Sequence, residues 1–187
     1  SGDVELSVTA DPTSALRDRA PAWLPKVGVR LELPRSLDRL SWFGRGPGET
    51  MPDRKWGVPV GRHEGSVADQ FVPYLPPTAN GSKAETRWAA VTGDGTGLAA
   101  FADGTLSTRV EQWANLDGAA RPAELSPRDT VAFDLDAAVS GVGGTPNDPL
   151  ERYQVGVERR TFTVTLRPVG PDADLAALGR RRLPPDP

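Results

Sequence analysis

Hydrophobic and polar residues alternate with a period of two along most of this chain, and that period defines its predicted elements. Val4, Leu6 and Val8 alternate with Glu5, Ser7 and Thr9, the signature of a half-buried strand. Val27, Val29, Leu31 and Leu33 alternate with Gly28, Arg30 and Glu32 until Pro34 ends the run, which makes this the cleanest strand in the sequence. Leu37 to Trp42 predicts a further strand, Trp56 to His63 another at a sheet edge because of Pro59, and Thr86 to Thr92 a third. Leu98 to Ala102, Leu106 to Gln112, Val131 to Leu135 and Thr161 to Leu166 repeat the pattern. Between Thr92 and Leu98, Gly93-Asp94-Gly95-Thr96-Gly97 predicts a plain hairpin turn. It lacks the spaced carboxylates and terminal Glu of a calcium loop. Asp11 to Pro21 is polar and flanked by proline, and reads as loop.

About eleven short strands with turn signals between them predict an all-β antiparallel sandwich. Residues 1–170 form that domain. Residues 171–187 form a C-terminal tail in which Asp172 to Arg182 has the pattern of a short amphipathic helix before a frayed, proline-rich end. Composition sharpens the picture. Of 187 residues, Gly 20 and Pro 19 make about a fifth, against a usual ~12%. Alternation this regular assigns that richness to tight turns rather than to disorder.

The stretch from Ser41 to Trp88 organises the rest. A strand runs into Gly44-Arg45-Gly46-Pro47-Gly48-Glu49-Thr50-Met51-Pro52-Asp53-Arg54, a loop whose glycines and prolines hold one backbone shape. Glu49, Asp53 and Arg54 lie close enough in sequence to brace it by charge-assisted hydrogen bonds. Pro76-Pro77 predicts extended chain and Asn80-Gly81 a hairpin turn.

These residues carry a resemblance. GxGPxExxPDR, then Pro73-Tyr74-x-Pro76-Pro77-x-x-Asn80-Gly81 and Thr86-Arg87-Trp88, resembles the C-terminal, small-chain domain of glycoside hydrolase family 2 β-galactosidases. Leu24-Pro25-Lys26-Val27-Gly28, Gly97-Leu98-Ala99, and Asp134-Leu135-Asp136 followed by Gly141-Val142-Gly143-Gly144 are similar to further blocks of that family, in its order, over roughly residues 20 to 168. The resemblance implies an antiparallel β-supersandwich of the galactose mutarotase-like kind. Its implied role is to pack on the catalytic barrel of the same parent chain and complete the wall of the sugar-binding active site. The family's catalytic glutamates lie in that barrel, which takes about 250 residues of alternating strand and helix that this chain does not have. No catalytic residue is therefore assigned here. The parent is expected to act on a galactoside as a cytoplasmic homo-oligomer. The domain is expected to need no cofactor of its own, with magnesium or sodium in the parent.

In some members the loop after the last glycines reads GxGGDDSW and places an aromatic ring beside the sugar. Here Gly144 is followed by Thr145-Pro146-Asn147-Asp148, so that Trp is absent. Asn147, Asp148 and, further on, Tyr153 are the substrate-contact candidates of this loop, with Pro146 and Pro149 narrowing its shape. Trp42 and Trp88 fall inside strand patterns and read as core. Trp56 and Trp113, at strand ends, are the candidates for stacking on a sugar.

Other classes recede. A mutarotase needs an acid–base pair with supporting histidine, and the chain holds a single one, His63, which reads with Glu64 as a surface pair at a strand end. Cys 0 excludes disulfides and thiolate metal sites, and one histidine excludes a histidine-rich one. A net charge of -3 gives no reason to expect nucleic acid, and no apolar run is long enough to predict a membrane span. The chain shows no secretory leader pattern, and Ser1 in place of Met fits a piece of a longer protein. A free-standing carbohydrate-binding module and a purely structural domain stay open as alternatives.

Overall fold

The computed structural model describes residues 2–19, 23–116, 118–144, 147–170 and 172–180. Its strands are β1 (Val4–Ala10), β2 (Trp23–Leu24), β3 (Lys26–Pro34), β4 (Arg39–Arg45), β5 (Val60–Ser66), β6 (Lys83–Gly93), β7 (Thr96–Trp113), β8 (Pro127–Val139), β9 (Val155–Gly156) and β10 (Arg160–Val169). Eight of them form one antiparallel sheet, and β2 pairs with β9 separately. The long strand β7 holds the sheet together. Its first half lies between β10 and β6, and its second half pairs with β8, which carries β3 on its far side. Register shifts in β6 between Lys83 and Trp88 accompany the change of partners. The two ends of the sheet face each other as a sandwich, without closing into a barrel.

The core lies between those faces, as alternation requires. Leu40 and Trp42 of β4, Val91 of β6, Val110 of β7, Phe133 and Leu135 of β8, and Val164 of β10 are buried in a single cluster. Burying one such side chain contributes about 1.5–3 kcal/mol. Ala90, Ala99 and Val169 form a second cluster on the outer side, against Phe101, Leu175 and Leu178. A short helix, α2 (Leu175–Leu178), sits there with Asp174 as its N-cap, whose carboxylate accepts from the Ala177 amide at 2.9 Å.

Several expected boundaries move. Asp11 to Pro21 contains a six-residue helix, α1 (Ser14–Arg19), whose first amide bonds come back to Thr13, a good N-terminal capping residue. The two strands expected at 98–102 and 106–112 are one continuous strand, in which Gly104, at φ 93, bends the chain between the residues paired up to Ala102 and those paired from Leu106. The strand expected from Trp56 begins at Val60, since Trp56 and Gly57 form a turn; β5 is nevertheless an edge. Asp94-Gly95 makes the expected tight hairpin, with both residues at positive φ and Gly93 paired with Thr96. Asn80-Gly81 makes none, because the chain there is bonded to Glu49 and Val72 instead of to itself. The helix expected over Asp172 to Arg182 is shorter, and residues 181–187 lie outside the described ones, as do Thr145 and Pro146.

One polar feature sits within the sheet. Asp134 of β8 is only 1% exposed and takes Lys26 Nζ at 2.7 Å and Arg30 Nε at 2.6 Å, with Arg109 beside it. Burial pushes its carboxyl up, but the bonds from Arg30 and Lys26 outweigh burial and hold it below the usual range. Asp136, two residues on, has a longer contact to Lys26 at 3.3 Å, and burial pushes its carboxyl up to about 6. The native chain thus holds this proton more tightly than the unfolded chain. The stability from Asp136 is present below about pH 4 and is lost as pH rises through about 6. Asp136→Asn should match the parent's stability near pH 4 and exceed it by about 1–3 kcal/mol at pH 7.5, measured by urea unfolding. A variant less stable than the parent at pH 7.5 would show that the charged form is the one the fold needs.

Candidate functional site

The organising loop is built around what its backbone must satisfy. β4 ends at Arg45, and the chain then crosses Trp42 and His63 so closely that a Cβ on Gly46 would lie 2.8 Å from the indole. His63 stacks on Trp42, with ring centroids 5.2 Å apart. Neighbouring residues of a strand point to opposite faces, so His63 and Glu64 do not form the surface pair expected of them. Below the loop, Lys83 is 2% exposed, donates to the Pro47 carbonyl at 3.0 Å and lies 5.0 Å from the Trp42 ring. Burial draws its ammonium down to about 8, against the opposing pull of Glu49. Thr50 ties the loop to β6: its amide donates to Ser82 and its hydroxyl accepts from the Ala84 amide, both at 2.8 Å.

Glu49 is the hub. Its side chain is 8% exposed, and Oε1 accepts from the Tyr74 hydroxyl at 2.7 Å and from Arg54 Nη2 at 3.2 Å. Oε2 accepts from the Gly81 amide at 2.6 Å. Burial and this carboxylate both push the Tyr74 phenol up, so it stays a donor. Both Glu49 oxygens are committed to donors, which fits bracing rather than acid–base work. Asp53 does something the sequence did not indicate. Its Oδ2 accepts from the Gly143 amide at 2.8 Å, and so joins the organising loop to the glycine-rich loop ninety residues on.

That second loop is closed at its base. The Gly141 amide donates to the Tyr153 carbonyl at 2.8 Å, and Ser140 Oγ both donates to the Leu24 carbonyl and accepts from the Val155 amide. These bonds bring the two ends of the loop together. Asn147 and Asp148 are exposed on it, while Pro149 is buried. Tyr153 stands under Arg152, whose guanidinium is 4.9 Å from the ring. Arg152 first, and the Trp56 side chain also, bear on the Tyr153 hydroxyl and lower its pKa.

The structure therefore brings Trp56 and Tyr153 together, from two loops far apart in sequence. Trp56 is 80% exposed. Trp113 has different contacts: it is half-buried, with Phe71 packed on it edge to face at 5.8 Å. Trp42 and Trp88 are core, as their strand positions imply. Of the seven exposed large hydrophobic side chains among the described residues, Trp56, Val60, Leu75, Val142 and Leu150 lie on these two loops or on segments adjoining them. Sequence reasoning missed Tyr74, Gly81, Ser140 and Lys83. Each acts through a hydrogen bond to a residue distant in sequence, which leaves no local pattern.

A broad concavity lies elsewhere, on the outer sheet face. It encloses about 1140 Å³ and is lined by Phe43, Arg62, Arg87, Trp88, Phe101 and Thr163 among others. Arg87 lies over Phe43 at 5.2 Å and Arg167 over Phe101 at 5.5 Å, and Trp88 is 8% exposed. The aromatic faces that a sugar would need are thus largely covered. No group of three or more His, Cys, Asp or Glu side chains suited to a metal is found among the described residues. No helix among them is long and apolar enough to cross a membrane.

Fold and site define an antiparallel β-sandwich domain that presents two mutually braced loops at one end. The chain belongs to the β-galactosidase small-chain family, whose model, described as beta galactosidase small chain, matches residues 1–166. It is 37% identical over 123 residues to a beta-galactosidase of Vibrio cholerae serotype O1, a match that takes in 65% of this chain and 11% of that protein. It is 32% identical over 155 residues to one of Arthrobacter sp. (strain B7), covering 76% of this chain and 15% of that protein. With one of Priestia megaterium it shares 34% identity over 93 residues, half of this chain and 8% of the relative. The chain thus spans a small fraction of the length of the relatives it matches.

Glu49→Ala leaves the Tyr74 hydroxyl and the Gly81 amide without their acceptor and should lower stability by about 1–3 kcal/mol, read by thermal unfolding. Arg54 is 48% exposed, so Arg54→Ala should cost less than about 1 kcal/mol. Equal losses for the two would place the bracing in the ion pair rather than in the main-chain bond.

Proposed function

We propose that this chain is the C-terminal domain of a β-galactosidase, that it packs on the parent's catalytic barrel, and that it completes one wall of the sugar-binding active site. The observation that carries this reading is that five of the seven exposed large apolar side chains among the described residues lie on or beside two loops that are bonded to each other. A wet, mobile surface has no use for such bracing, whereas a surface buried against another domain does. Trp, Tyr and Arg are the residue types that dominate interface energetics, and Trp56, Tyr153 and Arg152 stand together here.

Within that wall, the Trp56 indole offers a face for a pyranose ring, and Tyr153, Asn147 and Asp148 offer hydrogen-bonding groups for its hydroxyls. The bond-breaking carboxylates belong to the barrel, along with any magnesium or sodium, and this domain contributes none. The parent acts on galactosides as a homo-oligomer in the cytoplasm. The exposure of Trp56 equally fits a carbohydrate-binding module, and the test separates the two.

The isolated chain should hydrolyse no β-galactoside. In the intact parent, Trp56→Ala should raise KM for a galactoside about tenfold with kcat within about twofold, because a contact made alike in ground and transition states changes binding uniformly. Asp148→Ala should raise KM about two- to threefold, since its bonds to hydroxyls are largely offset by displaced water. Steady-state kinetics of both variants decide. An unchanged KM in each would return the loops to a structural role. Galactose binding by the isolated chain, lost in Trp56→Ala, would favour the module.

A further inference from the structure

We infer that Asp53 is a positioning residue: its carboxylate latches the Gly141–Tyr153 loop onto the organising loop and so sets where that loop stands. Its significance for substrate rests on the reading of the loop as an active-site wall; the latch itself does not.

Four observations converge on it. The Gly143 amide donates to Asp53 Oδ2 at 2.8 Å, and Gly143 itself is at φ 63, in the left-handed region that favours glycine. Gly141 packs against the same carboxylate so tightly that a Cβ there would lie 2.5 Å from both Cγ and Oδ2. The φ of Gly141 is not in the left-handed region, so what excludes a side chain at this position is the Asp53 carboxylate. Asp53 is in turn fixed from its own side. It lies in the turn closed by the Arg54 amide on the Met51 carbonyl at 2.9 Å, and Arg54 is held by Glu49. The order of dependence runs from the Glu49 hub through the Met51–Arg54 turn to Asp53, and from Asp53 to the second loop. Trp56, three residues beyond Asp53, then meets Tyr153 at the other end of that loop.

The geometry makes a prediction that a merely stabilising role does not. Gly141→Ala should displace the loop in the parent background, because Cβ and carboxylate compete for one space. In an Asp53→Ala background the carboxylate is gone, and the same substitution should be nearly harmless. Two nearby changes coupled in this way depart from additivity.

The test uses amide hydrogen exchange on the chain, with the Gly143 amide read relative to a core amide such as Val91. Asp53→Ala should speed Gly143 exchange about tenfold or more while Val91 changes little, as expected for loss of a charge-assisted bond. Asp53→Asn keeps an acceptor oxygen and should restore most of the protection. Gly141→Ala should speed Gly143 exchange in the parent background and add little in Asp53→Ala. Unchanged Gly143 exchange in Asp53→Ala, or a Gly141→Ala effect of the same size in both backgrounds, would overturn the latch. Kinetics of Asp53→Ala in the intact parent separate the two ideas. A rise in KM alongside faster exchange supports both, whereas faster exchange with unchanged KM keeps the latch and removes the active-site wall.

Discussion

The loop end of this domain depends on one irregularity, the break in the β6 ladder between Lys83 and Thr86. Glu85 sits there at φ 55, a conformation that costs a non-glycine residue about 1–2 kcal/mol. Its carboxylate is held by Lys55 at 2.6 Å and Arg45 at 2.9 Å, Lys55 first lowering its pKa. Both cations come from the organising loop and the strand that feeds it. The break also turns the Ser82 carbonyl and the Ala84 amide towards Thr50, so a regular strand here would leave the loop nothing to dock on. Local strain and loop position are therefore joined, since Glu85 and the backbone beside it bond to the same loop.

Charge in this molecule divides into two kinds of work. The Asp134 network holds three strands in register through a carboxylate that three cations surround, and removing the carboxylate alone would strand those cations. Around the organising loop, charge serves single main-chain groups. Glu49 satisfies the Gly81 amide, Lys83 the Pro47 carbonyl and Asp53 the Gly143 amide. A backbone rich in glycine and proline has few partners of its own, and buried side chains stand in for the ladder it lacks.

How much was legible in the sequence follows from the same division. Strands such as β1, β3 and β10 were readable because each buries one face, which imposes a period of two. The Asp94-Gly95 hairpin was readable because its turn needs residues that tolerate positive φ. Asn80-Gly81 carried the same signal and misled, since the Gly81 amide is taken by Glu49 and the Asn80 side chain by the Val72 amide. Glu49 and Asp53 were legible as loop carboxylates in need of donors, but the donor that meets Asp53 was not, because Gly143 is near it in space alone. Nor does any pattern in sequence bring Trp56 to Tyr153. That proximity is a product of the whole topology, since the strands that lead into the two loops, β4 and β8, are not neighbours in the sheet.

The closed base of the Gly141–Tyr153 segment gives it a modular character. Ser140, Gly141 and Tyr153 bond across its stem, and β8 and β9 are anchored outside it. Between those bonds, Gly143 on Asp53 and the buried Pro149 are the residues that still serve the fold. Lengthening such an insert costs only about 0.6 kcal/mol per doubling. An insertion between those bonds is therefore tolerable to the sandwich, as long as the stem, Gly141 and Gly143 are kept. Diversification can proceed at the tip while the sandwich beneath it stays the same.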